Sequence, residues 1–193
     1  MESRVGRDRD RASDDRHLME RLGRGDEAAF DSLIQKYWEP LVTFARGFVN
    51  SEDQAEDLVQ ETFLRVWQGR SRWVPNGTVR AYLFTITRNL CLNDEERRRV
   101  RTDWAMREGR VARASPSPHA EFMGREALRV MNEAVRELPD RRREVFRLVC
   151  LGGLSYREVS QVMGVAIPTV ANQMSAALSH LRSALRPITD HRP

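Results

Sequence analysis

Between residues 54 and 67 the chain reads QAEDLVQETFLRVW, and Ala55, Leu58, Val59, Thr62, Phe63, Val66 and Trp67 recur at the i, i+3, i+4, i+7 spacing of one helical face. That face is expected to be buried. The opposite face holds Glu56, Asp57, Gln60 and Glu61, acidic and amide-rich. Upstream, the spacing predicts a short helix over Arg16–Leu22, ended by Gly23 and Gly25. Asp26 is placed to cap the next one. From Glu27, the positions Phe30, Leu33, Ile34, Tyr37, Leu41, Phe44, Ala45 and Phe48 follow one helical face for about 20 residues. Pro40 interrupts that run, removing a backbone donor, and a kink is expected there. Ser51 and Asp53 offer caps for the helix that holds QAEDLVQETFLRVW, which should end at Gly69.

Gly69–Gly77, GRSRWVPNG, has the glycine and proline content of a loop and leaves Trp73 exposed. Thr78 can cap a further helix with Val79, Leu83, Ile86 and Leu90 on its inner face and Arg80, Thr87, Arg88 and Cys91 turned away. This helix runs out in Arg97, Arg98, Arg99 and Arg101. Apolar periodicity then weakens, and ASPSPH at Ala114–His119 reads as an extended linker.

A second helical block starts near Glu121, with Phe122, Leu128, Met131, Ala134, Val135 and Leu138 as its stripe. After Leu138-Pro139-Asp140 comes another helix, stopped by Gly152-Gly153. Ser155 and Glu158 sit at capping-box spacing before a short helix, Tyr156–Met163. Gly164 turns the chain into a longer helix with Pro168 in its first turn. Two helices across a glycine turn suggest helix-turn-helix. The expected fold is all-α: two small helical domains joined by a flexible linker, the second containing the helix-turn-helix. The boundaries fall at 1–15 for a disordered tail of alternating Arg and Asp, 16–100, 101–122 for the linker, and 123–193.

Charge changes this picture only through its distribution. The formal balance is +4, with Lys36 the only lysine, and arginine suits bidentate contacts to phosphates and base edges. Cys91 and Cys150 form no CxxC pair and have no His at metal-ligand spacing, so both read as small buried hydrophobes in a reducing compartment. No apolar run is long enough to span a bilayer, and the N-terminus is too charged for a signal peptide, so the expectation is a cytoplasmic protein without membrane insertion.

Three constellations carry chemistry. Asp57 and Glu61, at i, i+4, repel each other slightly and favour a cationic partner. They lack an accompanying His, nucleophile or glycine-rich loop, which argues against an enzyme, a metal site or a cofactor. On pattern alone a merely solvated helix face is the favoured reading of them. Arg70, Arg72, Trp73, Arg80 and Arg88 bring cations and an aromatic together, as single-stranded nucleic acid requires, or make an ordinary charged surface beside core aromatics. In the last helix, Val170, Met174, Ala177, Leu178 and Leu181 phase inward, while Asn172, Ser175, Ala176 and Ser179 face out, with Gln173 and His180 on the flank and Thr169 near the start. Such a face suits a major groove, with phosphate contacts drawn from Arg141, Arg142, Arg157 or Arg182; a purely structural hairpin is the alternative.

In order, GDEAAFDSLIQKYWEPLVTFA, QAEDLVQETFLRVW, RAYLFTITRNL and LPDRRREVFRLVCLGGLSYREVSQVMGVAIPTVANQMSAALSHLR resemble bacterial RNA polymerase sigma factors of the extracytoplasmic-function group. The resemblance covers most of residues 25–186. It implies an alternative sigma factor that binds core RNA polymerase and directs promoter recognition, DNA melting and initiation. Asp57, Gln60 and Glu61 would dock on a coiled coil of the largest polymerase subunit. The loop Gly69–Gly77, including Arg70, Arg72, Trp73 and Asn76, with Arg80, Arg88 and Asn89, would melt and read the minus-ten element by capturing a flipped base. Arg157, Thr169, Asn172, Gln173, Ser175 and Ser179 would read the minus-thirty-five element as duplex. The resemblance also implies promoter DNA and an anti-sigma factor as partners, and a linker lying extended on the polymerase. One departure stands out: family members commonly carry Lys or Arg along the reading helix, where this chain has Ala171, Gln173, Ala176 and Leu178. A stand-alone helix-turn-helix regulator, binding duplex DNA as a dimer, is the competing function, and a helical hydrolase is a third.

Overall fold

A computed structural model describes residues 2–49, 51–74, 76–107 and 122–189, with side chains for 13–49, 51–74, 76–101 and 130–186. Every regular element among them is helical: α1 Glu2–Gly23, α2 Glu27–Ala45, α3 Glu52–Gly69, a 3₁₀ turn Arg70–Arg72, α4 Val79–Arg107, α5 Phe122–Glu137, α6 Asp140–Cys150, α7 Tyr156–Met163 and α8 Ile167–Thr189. The caps written in the sequence are used. Asp26 accepts from the Ala29 N–H at 3.2 Å, Ser51 from the Gln54 N–H at 3.2 Å, and Thr78 from the Ala81 N–H at 3.1 Å. Ser155 and Glu158 close a reciprocal capping box. Of the two residues offered as caps for α3, Ser51 serves and Asp53 lies in the first turn. α2 runs through Pro40 to Ala45.

The first module packs α1, α2, α3 and α4. Leu33, Leu41 and Phe44 of α2, Ala55, Val59, Phe63 and Val66 of α3, and Leu83 and Phe84 of α4 are almost fully excluded from solvent. Phe30 meets the edge of Phe63 and tilts against Trp67, while Phe44 sits between Phe48 and Phe84 with centroids 5.1 and 5.2 Å away. In the second module α8 packs on α5, α6 and α7. Gly164 makes the turn between α7 and α8 in the left-handed region, at φ +65°, and Val159, Val162, Val170, Met174, Ala177 and Leu181 fill the space beneath it.

Several expectations are corrected. The proposed tail, 1–15, is helical from Glu2, and α1 has no break at Arg16. Asp15 is 5% exposed and accepts from the Tyr37 hydroxyl and from Lys36, which compensates the burial of its carboxylate. Burial and the neighbouring Asp15 raise the Tyr37 pKa, so the phenol keeps its proton to donate.

α4 continues to Arg107, and α5 begins at Phe122, so the helices extend into the proposed 101–122 linker from both sides; residues 108–121, including Ala114–His119, lie outside the described residues.

Thr87 and Cys91, expected to face away, are both fully buried. Thr87 lies on the face of α4 packed against α3, its hydroxyl 3.0 Å from that of Thr62, and α4 is packed on another face by α7. Burial pushes the Cys91 thiol up to about 12, so it remains protonated. Cys150, expected inside, is exposed.

The two helical modules expected from the sequence meet each other. One continuous core includes Phe44, Phe48 and Phe84 of the first and Val145, Leu148 and Leu154 of the second. Arg147 of α6 is 8% exposed, stacks its guanidinium 4.1 Å from the Phe48 centroid, and lies 3.7 Å from Glu95 of α4. Gly152 sits tightly beneath Phe84: a Cβ there would stand 2.8 Å from Phe84 Cε1 and 2.7 Å from the Leu148 carbonyl oxygen, so no side chain fits.

Candidate docking and nucleic-acid interfaces

The polar face of α3 is presented outward because its other face is consumed by the core. Ala55, Val59, Thr62, Phe63 and Val66 are buried, and Leu58 and Trp67 pack partly against them. Asp57 and Gln60 are exposed and Glu61 half-exposed, so the three predicted docking residues share one surface. Glu61 accepts from Arg65 Nε at 2.8 Å, an i, i+4 pair that relieves part of the Asp57–Glu61 repulsion. Leu64 stands on the same stripe, three, four and seven residues beyond Glu61, Gln60 and Asp57, and 53% of its surface is exposed. Periodicity contained this signal, an apolar position in a polar stripe, but attention to charge passed over it.

After α3 the chain turns through Arg70–Arg72. Arg70 is folded back, with its guanidinium 4.1 Å from the Trp67 ring centroid and Nη1 donating to the Trp67 carbonyl at 2.7 Å. Arg72 and Asn76 are exposed, whereas Trp73, expected to be exposed, is half-buried against the core. Trp73, Val74, Asn76, Gly77, Thr78, Ala81, Tyr82 and Thr85, with Gln161 from α7, line an open cleft of about 200 Å³. An indole, a phenol, an amide and hydroxyls converge there without a carboxylate, and such a lining suits a planar, hydrogen-bonding group.

Arg80 and Arg88 are not free on this surface, although their helical phase led away from the first module's core. Arg80 Nη2 donates to the Gly152 carbonyl at 2.7 Å, with its guanidinium 5.7 Å from the Phe84 centroid. Arg88 Nη2 donates to Glu144 Oε2 at 2.6 Å, and Nη1 to Asn89 Oδ1 at 3.2 Å. Asn89 is exposed. Cleft, Arg80 and Arg88 therefore share the face of α4 that meets the second module.

On the helix-turn-helix, Arg157, Thr169, Asn172, Ser175 and Ser179 are exposed and Gln173 is half-buried, accepting from Arg142 Nε at 3.3 Å. Among the proposed phosphate contacts, Arg141, Arg157 and Arg182 are exposed. Arg143 is held at the C-terminus of α5, donating to the carbonyls of Val135, Arg136 and Leu138. The outward face of α8 thus carries hydroxyls and the Asn172 amide, groups that can pair with base edges. Among the described residues no cluster of His, Cys, Asp and Glu could hold a metal ion, and no helix is long and apolar enough to cross a membrane.

Residues 33–102 match the family described as Sigma-70 region 2, and residues 128–181 the family described as Sigma-70, region 4. The ECF RNA polymerase sigma factor EcfG of Rhodopseudomonas palustris is 34% identical over 150 residues, spanning 75% of this chain and 78% of EcfG. The RNA polymerase sigma-H factor of Pseudomonas aeruginosa is 27% identical over 183 residues, spanning 90% of this chain and 95% of that protein. Among solved structures, the sigma factor RpoE in complex with the anti-sigma factor NepR from Bartonella quintana superposes with a TM-score of 0.63 at 27% identity, covering 81% of this chain and 96% of RpoE. CnrH, solved with the cytosolic domain of CnrY, shares the fold at a TM-score of 0.69 and 24% identity, covering 90% and 98%.

Proposed function

The chain belongs to the extracytoplasmic-function group of RNA polymerase sigma factors, and from that premise we propose how its surfaces divide the work of initiation. It is an alternative sigma factor, directing transcription initiation through core polymerase and promoter DNA. Asp57, Gln60, Glu61 and Leu64 form the polymerase-docking surface. The observation that carries this assignment is the α3 face itself, acidic and amide-rich with one exposed apolar residue, on a chain of net positive charge. A basic, partly apolar coiled coil is the complementary surface.

The cleft behind Trp73 takes a flipped minus-ten base. Arg72, Asn76 and Asn89 are accessible to the strand, and Arg70, Arg80 and Arg88 contribute once released from their internal contacts. A base removed from the stack must recover stacking and edge hydrogen bonds, and the cleft's indole, phenol and amide supply both. Arg157, Thr169, Asn172, Gln173, Ser175 and Ser179 read the minus-thirty-five duplex, with Arg141 and Arg182 on phosphates. The reaction's metal belongs to the polymerase. The chain acts in the cytoplasm, where that enzyme works, and an anti-sigma factor, as in the RpoE complex with NepR, holds it until needed.

The competing regulator, a stand-alone helix-turn-helix protein, leaves residues 33–102 without a use, although they match region 2. The test is reconstitution: the purified chain should co-elute with core polymerase and support promoter-dependent transcription from genomic fragments. Failure to bind core sinks the reading.

A further inference from the structure

From Val159 to Ser179 the chain carries no Asp, Glu, Lys or Arg, although 31% of its residues are charged. That run holds the left-handed turn at Gly164 and the first turns of α8, the end by which a recognition helix meets base edges in the major groove.

The missing groups decide what such a face can recognise. Guanine is held by a bidentate Arg or Lys at O6 and N7, and cytosine by a carboxylate at its N4 amine. From Ile167 to Ser179 α8 has neither. Adenine N6 and N7 pair with Asn or Gln, while hydroxyls serve several partners. Of the two amides, Gln173 is half-buried with Oε1 accepting from Arg142 Nε at 3.3 Å, whereas Asn172 is exposed, which makes Asn172 the adenine reader.

Ile167 supplies a second contact. It shares the phase of the buried Val170 and Met174, yet it stands at the very start of α8 and keeps 45% of its surface in solvent. The one apolar group that the edges of the bases offer in a major groove is the C5-methyl of thymine. Along the helix axis Ile167 and Asn172 lie about 7.5 Å apart, close to the rise of two base pairs.

We propose that α8 reads an A·T element at minus thirty-five, with Ile167 as a specificity-determining residue seated on a thymine methyl and Asn172 on an adenine about two base pairs away. Arg141, Arg157 and Arg182, exposed around that face, hold phosphates and leave the sequence to uncharged groups. The proposal rests on reading α8 as the minus-thirty-five helix.

The test uses holoenzyme, the full chain on core polymerase. Duplexes recovered by holoenzyme from a random-sequence pool are sequenced, and the bound sequences are then remade with deoxyuridine at single upstream thymines, which removes only the methyl. Binding is compared for wild type, Ile167→Ala, Ile167→Arg and Arg157→Ala. Ile167→Ala replaces an exposed residue with a better helix former, so the fold is retained, and an unaltered downstream element checks this. The wild type should recover an upstream element dominated by A·T. One deoxyuridine should weaken its binding about fourfold, the worth of one buried carbon, and should have no effect on Ile167→Ala. Ile167→Arg should turn the same base pair towards G·C.

An upstream element dominated by G·C and lost in Arg157→Ala overturns the proposal while α8 keeps its place on the duplex. So does a deoxyuridine effect that survives in Ile167→Ala, or an Ile167→Ala change that weakens core binding and leaves base preference intact, which would make Ile167 a protein contact. If a downstream element is recovered without any upstream one, the minus-thirty-five reading fails and the proposal with it.

Discussion

Leu64→Ala tests whether the α3 face docks through an apolar anchor or through charge alone. Leu64 leaves 53% of its surface in solvent, beside Asp57 and Gln60. Fully burying a leucine is worth about 1.5–3 kcal/mol, so covering the exposed half contributes about 1–1.5 kcal/mol. Truncation should therefore weaken core-polymerase binding about 5- to 12-fold. The assay is anisotropy of the labelled chain titrated with core polymerase at 0.1 M and 1 M salt, conditions under which the Debye length falls from about 10 Å to about 3 Å. Asp57→Ala should weaken binding at low salt and lose most of its effect at high salt. The Leu64→Ala deficit should persist, because burial of apolar surface is not screened. A change under about twofold for Leu64→Ala, or a deficit that fades with salt in step with Asp57→Ala, refutes the anchor. If Asp57→Ala leaves affinity unchanged at low salt, the docking assignment itself is wrong.

Three other outcomes are expected. Thr62 and Thr87 are fully buried with their hydroxyls 3.0 Å apart, while each also reaches its own i−4 carbonyl, Leu58 and Leu83. Two protons cannot serve three contacts, so Thr62→Val and Thr87→Val should each cost about 1 kcal/mol in urea melts and the double variant distinctly less than their sum; strict additivity would contradict this. Asp26 has its pKa lowered from 3.8, chiefly by the hydrogen bond from Arg21 and then by the Ala29 N–H. The cap's contribution is thus complete above the unfolded value and lost as pH falls through the lower folded one, so Asp26→Asn should flatten the acid limb of thermal stability below about pH 4, and an unchanged limb counts against it. In the holoenzyme on promoter duplex, Asn172→Ala should relax upstream selectivity at an unaltered salt slope, whereas Arg157→Ala should weaken all sequences and reduce that slope by about 1. Footprint titrations giving the same slope change for both would dismiss the division between base and phosphate contacts.

The readable parts of the chain were those whose physics is local. Asp26, Ser51, Thr78 and Ser155 cap helices because a side-chain oxygen three residues from an unpaired N–H needs no knowledge of the tertiary fold. The α3 stripe and the Val170, Met174, Ala177, Leu181 face were legible for the same reason, since a single buried face imposes its period directly. The first eleven or so residues of α1 were not. Alternating Arg and Asp bury little, and what fixes α1 lies about twenty residues on, where Tyr37 and Lys36 meet Asp15.

α4 has more neighbours than its own sequence reveals. Periodicity reports that a position is apolar, but not how many neighbours its helix has. With only α2 and α3 as partners, Arg80 and Arg88 belong to the solvent face, as their charge suggests. With α6 and α7 against that face as well, both arginines find partners 56 and 72 residues away in sequence, while Thr87 is interior through its contact with Thr62 of α3. Nor did anything local distinguish Arg147, buried over Phe48, from the exposed Arg141 of the same helix. The motifs located the nucleic-acid surface because its residue types are chemically necessary. Whether that surface is open depends on contacts between modules, and a residue such as Gln161, neutral and unremarkable in its own helix, acquires meaning only from Gly77 and Thr78 opposite it.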